Sequence, residues 1–252
     1  MKIYTYIKSN TMEIKETIYK NGKSVLKGEL DSKALLQQVL SLAHKNSHSA
    51  VKTYLSELDS DHLDTVYHQG DLTLTEDLNL FECNICNLIV DGNLIVDGCL
   101  SIYDDPETFV FVTGNVRATN MVTSGTLHVN GNLEVGQCLL GDYNHGMTGV
   151  YGSAKARFFC PEEYFFQIEG PIHFDYALGN TYRLNDNAQK KLFNLNDKPL
   201  AELIDILHPD VLALLDPEYL EILEEAETDA IWEFMEWRNF LKYVRSGKPV
   251  LK

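Results

Sequence analysis

The chain has 252 residues, 44% hydrophobic and 23% charged, with 37 Asp and Glu against 21 Lys and Arg and a formal net charge of −16. That balance suits one large or two small folded domains that need no disulfide or metal to make a core, and it excludes wholesale disorder. It also excludes sequence-independent nucleic-acid binding, which needs clustered cations, while five cysteines exclude a disulfide framework.

The opening residues, MKIYTYIKSN, have no apolar signal core. No apolar run reaches the ~18 residues of a membrane span, so a cytoplasmic, reduced protein is expected. Residues 1–66 hold nine bases and eight acids. Ile3–Ile7 and Glu13–Tyr19 alternate like strands, and Asn21-Gly22 supplies a tight-turn signal. Asp31 and Ser32 are placed to cap a helix carrying Leu35, Leu36, Val39, Leu40 and Ala43, and a second short helix is predicted over Ala50–Leu58. Residues 1–65 therefore read as a small α+β cap.

Residues 67–180 hold fifteen acids and only three bases, and here a phrase repeats: HQGDLTL (68–74), VDGNLIV (90–96), VDGCLSI (96–102), VTGNVRA (112–118), TSGTLHV (123–129), VNGNLEV (129–135) and IEGPIHF (168–174). Each is a glycine followed by the apolar alternation of a short strand. Gly70, Gly92 and Gly114 lie 22 residues apart, and Gly131, Gly152 and Gly170 follow at 17, 21 and 18. Repetition near 20 residues predicts stacked coils, with Leu72, Leu94, Val116 and Leu133 forming one inward column. Glycine suits the corner's backbone angles, and Asn93, Asn115 and Asn132 after it suit left-handed corners or bonds to neighbouring backbone.

Residues 177–252 switch to helical periods. Helices are predicted over Asn196–Leu207, Pro209–Leu215, Pro217–Ala226 and Thr228–Val244, the last stopped by Gly247 and Pro249. Trp232 and Trp237 read as core anchors. Residues 199–237 contain twelve acids and no Lys or Arg. The expected fold is mainly β: a parallel β-solenoid (β-helix) over 66–176, flanked by the N-terminal cap and a C-terminal helical domain.

The phrases VDGNLIVDG and VNGNLEV resemble bactofilin-type, polymer-forming cytoskeletal solenoids. The resemblance implies the fold over 66–176 and, in the family, end-to-end polymerisation through bare terminal coils. This chain departs from that pattern by carrying about 65 folded residues before the coils and 70 after them, enough to cap both ends.

Candidate chemistry is sparse. Cys83 and Cys86 form a lone CxxC with no second ligand pair, and read as wall residues. His44 and His48 have helix-face ligand spacing but stand among Asn46, Ser47 and Ser49, which suggest a helix end. A local six-residue period (Val90, Val96, Ile102) resembles acyltransferase hexads, for which His128 or His145 would serve as the base. Asp91, Asp97, Asp104 and Asp105 are carboxylates of the kind a glycan-active β-helix needs. The aromatic stretch RFFCPEEYFFQIEG (157–170) reads as the last coil closing under the C-terminal helices.

The expectation that remains is electrostatic: a non-enzymatic acidic protein without cofactor, binding a protein with a basic surface, most concretely an immunity protein neutralising a toxin domain. Its expected contacts are Glu218, Glu221, Glu224, Glu225 and Asp229, with Asp104, Asp105 and Glu107 on the adjoining solenoid wall. Neither nucleic acid nor membrane is expected as a partner, and the chain should be a monomer or small homo-oligomer. The alternatives are a self-assembling structural solenoid and a β-helix enzyme.

Overall fold

The computed structural model describes residues 2–56, 63–103, 108–142, 145–179, 193–196, 198, 200–214 and 235–252. The repeating phrases form a parallel β-solenoid of about five turns. One sheet runs β1 (Gly22–Ser24), β2 (Asp64–Gln69), β5 (Ile85–Asp91), β7 (Phe109–Val112), β9 (Thr126–Val129), β11 (Met147–Val150) and β13 (Phe165–Ile168). The other stacks β3 (Leu72–Leu74) and β4 (Leu78–Asn79) on β6 (Leu94–Ile102), followed by β8 (Val116–Thr123), β10 (Leu133–Asp142), β12 (Ala154–Glu162) and β14 (Ile172–Ala177). Among the described residues these strands pair in parallel except β1 with β2, and one isolated antiparallel bridge joins Leu207 to Leu251.

The expected column is present: Leu72, Leu94, Val116 and Leu133 lie in register and buried, continued by Ala154 and Ile172. A second inward column runs Leu74, Val96, Ala118, Val135, Ala156 and Phe174. The walls shrink to Ala154 and Ala156 where Phe159, Tyr164 and Phe166 fill the interior, with Phe159 stacked on Phe174 at 4.4 Å. Large residues on one wall are thus matched by small ones opposite, as close packing requires.

The corner glycines have a different cause from the one expected. Of the corner glycines Gly70, Gly92, Gly114, Gly131, Gly152 and Gly170, only Gly70 has a positive φ, +94°. At Gly114, Gly131 and Gly152 a Cβ would come within 2.5–2.6 Å of the carbonyl oxygen of the glycine one coil below. The same backbones are hydrogen-bonded, Gly114 N to Gly92 O at 2.8 Å and Gly131 N to Gly114 O at 2.9 Å. The corner demands glycine because successive coils approach too closely for any side chain. The asparagines beside them are not left-handed either; they form a ladder. Asp71 Oδ1 accepts from Asn93 N (2.8 Å) and Nδ2 (3.0 Å). Asn93 Oδ1 accepts likewise from Asn115, and Asn115 Oδ1 from Asn132. Asn132 Oδ1 then accepts from the Ser153 N–H and hydroxyl. The next corner residue is Pro171, which has no N–H to donate, and the ladder ends there. Gly98 and Gly125, which the repeating phrase placed with the others, lie outside this column, against Asp77 and against Tyr103 and Thr108.

Strands β6 and β10 bulge between Val96 and Cys99 and between Val135 and Cys138, and in the first coil the same point separates β3 from β4. Bulges bend a strand, so each coil has three walls. Wall one carries outward, in register, Thr73, Ile95, Arg117, Glu134, Lys155 and His173. Wall two presents Cys99, Val122, Cys138, Leu140, Phe158 and Cys160. Wall three presents Tyr67, Ile89, Phe109 and Phe111.

Among the described residues, helices cover two of these walls. On wall three lie α2 (Ser32–Leu42) and α3 (His48–Ser56), packed through Leu35, Val39, Val51 and Leu55; Asp31 caps α2 by accepting from Ala34 N, as expected. His44 and His48 flank the 3-10 turn between them, where Lys45–Ser47 reverse the chain. Wall two is covered by α4 (Leu200–Ile206), α5 (Pro209–Leu212) and α6 (Trp237–Arg245), with Phe158 against Phe240 and Asn120 Nδ2 donating to Val244 O. Gly247, at φ +75°, ends α6.

Three predicted elements are also corrected. Helix α4 starts at Leu200 rather than Asn196, whose side-chain amide instead bonds both the N–H and the carbonyl of Gly179. The N-terminus is a helix, α1 (Lys2–Lys20), not a pair of strands; Ile14 and Ile18 are four apart as well as on an alternating pattern, and Ile18 is buried in the solenoid core. The last helix begins at Trp237 rather than Thr228: Met235 is buried, Glu236 takes the N-cap position, and the Trp237 indole N–H reaches out to Asp142. Trp232 and the helix predicted over Pro217–Ala226 lie outside the described residues.

Candidate functional site

Glu218, Glu221, Glu224, Glu225 and Asp229, and likewise Asp104, Asp105 and Glu107, lie outside the described residues. The residues that anchor both segments are described. The Leu214 carbonyl accepts from Glu236 N at 3.0 Å, so the chain leaves for residues 215–234 and returns at one point, the start of α6. Tyr103 and Thr108 close the base of the 104–107 loop through Thr108 N to Tyr103 O (2.9 Å) and Tyr103 N to Thr108 Oγ1 (2.8 Å). The Arg245 guanidinium lies 5.0 Å over the Tyr103 ring. Nine-residue α6 thus touches the anchor of one acidic segment at its first turn and of the other at its last, ~13 Å apart.

The solenoid's charge is polarised along its axis. Residues 67–116 contain nine acids and no Lys or Arg; all three bases of the coils, Arg117, Lys155 and Arg157, come later. Part of that acidity is structural. Asp71 starts the ladder; Asp77 Oδ1 accepts from Cys99 N at 2.7 Å; Asp91 accepts from the Tyr67 and Thr113 hydroxyls at 2.6 and 3.1 Å; beyond that stretch, Asp142 likewise holds Trp237. Carboxylates accept several hydrogen bonds without needing to donate, which suits positions where N–H and O–H donors converge.

Of the other chemistry-bearing residues, Cys83 is buried on the first coil and burial pushes its thiol up to about 11; Cys86 donates to the Asp64 carbonyl at 3.3 Å. Cys99, Cys138 and Cys160 are sealed between wall two and the C-terminal helices, with thiols raised by burial. His44 and His48 do not converge: His44 Nδ1 accepts from Asn46 N, while His48 Nε2 sits 3.2 Å from the Ala43 carbonyl. Among the described residues no three His, Cys, Asp or Glu are grouped to hold a metal ion. His145 is exposed.

His128 is the exception to this dispersal. It is buried on wall three, its Nδ1 2.9 Å from the Tyr151 hydroxyl and its Nε2 buried without a partner. Burial lowers its pKa to about 4 and raises that of Tyr151 to about 12. Gly149 makes the room, since a Cβ there would lie 2.6 Å from His128 Nδ1. His44 stacks on Tyr151 at 4.1 Å, and Asn46 Nδ2 donates to Glu169 at 2.5 Å. This cluster clamps the α2–α3 connection to the upper coils. Sequence reasoning missed it because its members come from positions up to 125 residues apart and share no spacing.

No protein-family model matches this chain, and neither curated proteins nor solved structures give a match. By its fold the chain is a parallel β-solenoid protein, and among the described residues helices lie on two of its three walls. Among the described residues no helix is long and apolar enough to cross a membrane.

Proposed function

We propose that the chain is a non-enzymatic binding protein of the cytoplasm, an immunity protein that neutralises a basic toxin domain by direct contact. The observation that carries this reading is the anchoring of both acidic segments on one helix. The Leu214–Glu236 bond and the Arg245–Tyr103 contact tie residues 215–234 and 104–107 to opposite ends of α6, on a wall backed by the solenoid core. Because both segments leave from and return to packed residues around α6, their charges are delivered to one side of the molecule, and a concentrated field of one sign favours fast association with a cationic surface. The axial polarity adds to it, since coils one and two have no base to oppose the loop's charge.

The test is association kinetics with a basic protein co-purified from the native source, at two ionic strengths. Reversing Glu221, Glu224 and Glu225 to Lys should slow association at least tenfold at low salt and much less at high salt. Reversing Asp104, Asp105 and Glu107 should act in the same direction. Unchanged kinetics in both variants would sink the proposal. Filaments of the intact chain in electron micrographs would favour the self-assembling reading, against which the covering of the first coil by α1 weighs.

A further inference from the structure

Wall one is the solenoid wall that the described helices leave uncovered. Its outward residues in register, Thr73 to His173, are polar or charged apart from half-buried Ile95, and their row spans six rungs, ~24 Å of the axis at ~4.8 Å per rung. Along its edge, at the bend into wall two and one residue after the inward Leu74 column, stand exposed Asp97 and Arg157, with Asp97 3.8 Å from Arg117. All three bases of residues 67–180 stand on this wall or at its edge, so it is not an acidic surface, and it is ill-suited to the basic partner proposed above. No Trp, Tyr or Phe points outward from it among the described residues, which leaves no stacking platform for a sugar ring.

We propose that wall one is a self-complementary face on which two copies of this chain pair antiparallel, about a two-fold axis lying across the solenoid axis, along the strands. That operation turns rung one onto rung six while keeping the row and the edge each opposite itself. It sets Arg117 of one copy opposite Glu134 of the other, Asp97 opposite Arg157, and the Lys155 stem over Ile95. Each pairing occurs twice, and no like charges meet. The parallel alternative, with the axis along the solenoid, puts Lys155 against Arg157 of the other copy and is disfavoured by charge. Within one copy these charges are only loosely engaged. Arg117 is 3.8 Å from Asp97 and Lys155 3.1 Å from Glu134, with all four side chains at least half exposed, and Arg157 has no ion pair among the described residues. Exposed pairs of this kind contribute little and are free to re-pair across an interface. The proposal goes beyond the toxin-binding reading, because the acidic segments are anchored on wall two.

The experiment is sedimentation velocity of the full chain at near-physiological ionic strength. The wild type should dimerise below about 100 µM. Asp97→Arg and Arg157→Asp, each alone, should weaken the dimer roughly tenfold or more by creating like-charge pairs. Mixing the two single variants should restore dimers, because the guanidinium introduced in one chain then meets the carboxylate introduced in the other. Arg117→Glu and Glu134→Arg form a second such pair, usable should either first variant lose its circular dichroism spectrum. A wild type that stays monomeric to about 100 µM overturns the proposal, as do single variants that dimerise like wild type or mixtures that remain monomeric.

Discussion

Walls one and three are built on the same coils, yet their outward positions could hardly differ more. On wall three the row Tyr67, Ile89, Phe111 and His128 is buried under α2 and α3; on wall one Arg117, Glu134 and Lys155 stand in water. The backbone repeat stacks the coils, and the outward side chain decides what lies on them. Strand β7, FVFV, is apolar on both faces because it has a core on both sides, inside through Val110 and Val112 and outside through Phe109 and Phe111. A continuous apolar run on a parallel strand is the signature of burial on both faces.

The sharpest test of that difference is truncation on the covered wall. Phe111→Ala should destabilise by about 3–5 kcal/mol in denaturant unfolding, as much as an inner-column residue, because the ring is fully buried between sheet and hairpin. Arg117→Ala on wall one should stay within about 0.5 kcal/mol in the monomer. Equal effects at the two sites would show that the helices do not seal wall three.

Acid probes the same wall. His128 has its ordinary pKa of 6.5 lowered to about 4 by burial, so between these values the unfolded chain binds a proton that the folded chain refuses. Its contribution is complete above pH 6.5, declines as pH falls, and is gone below about pH 4; the span amounts to about 3 kcal/mol. Urea midpoints measured from pH 7.5 to 4 should show this slope in the wild type and a shallower one in His128→Phe. Parallel slopes would mean that another group carries the acid sensitivity.

The smallest effect belongs to the corner between walls. Asn115→Ala removes the rung between Asn93 and Asn132, leaving the Asn132 N–H without its acceptor at 2.9 Å. Because that corner is solvent-exposed, water replaces part of the loss, and about 1 kcal/mol is expected. Asn115→Asp should cost less than Asn115→Ala, since a carboxylate still accepts from Asn132. The reverse order, read from the same unfolding curves, would refute the ladder as the stabilising element.

Much of the solenoid was legible because one residue type recurs at one place in every coil. The Leu72 column follows from period alone, and the α2 cap at Asp31 and the stop at Gly247 follow from residue type. What period could not show was where the flanking helices dock, because a helix covering a wall leaves no spacing signal in either partner. It also misread Glu13–Tyr19, where Ile14 and Ile18 satisfy the helical and the alternating patterns at once. The acids of the candidate site are plain in composition. Their anchors are not: Leu214 meets Glu236 across 22 residues and Tyr103 meets Arg245 across 142.

The asparagine ladder has a direction, and so it has punctuation. It opens on Asp71, which accepts from the rung above, and it closes before Pro171, which offers no N–H to the rung below. Each rung between them both gives and receives, so one interior coil is chemically interchangeable with another. Duplication or excision of a whole coil, Asn115 to Gly131 for example, would leave the opening and closing residues in place and every acceptor supplied. Growth beyond Pro171 would meet a residue that ends the sentence. In evolution and in design alike, the height of this column is a quantity to be edited from the middle.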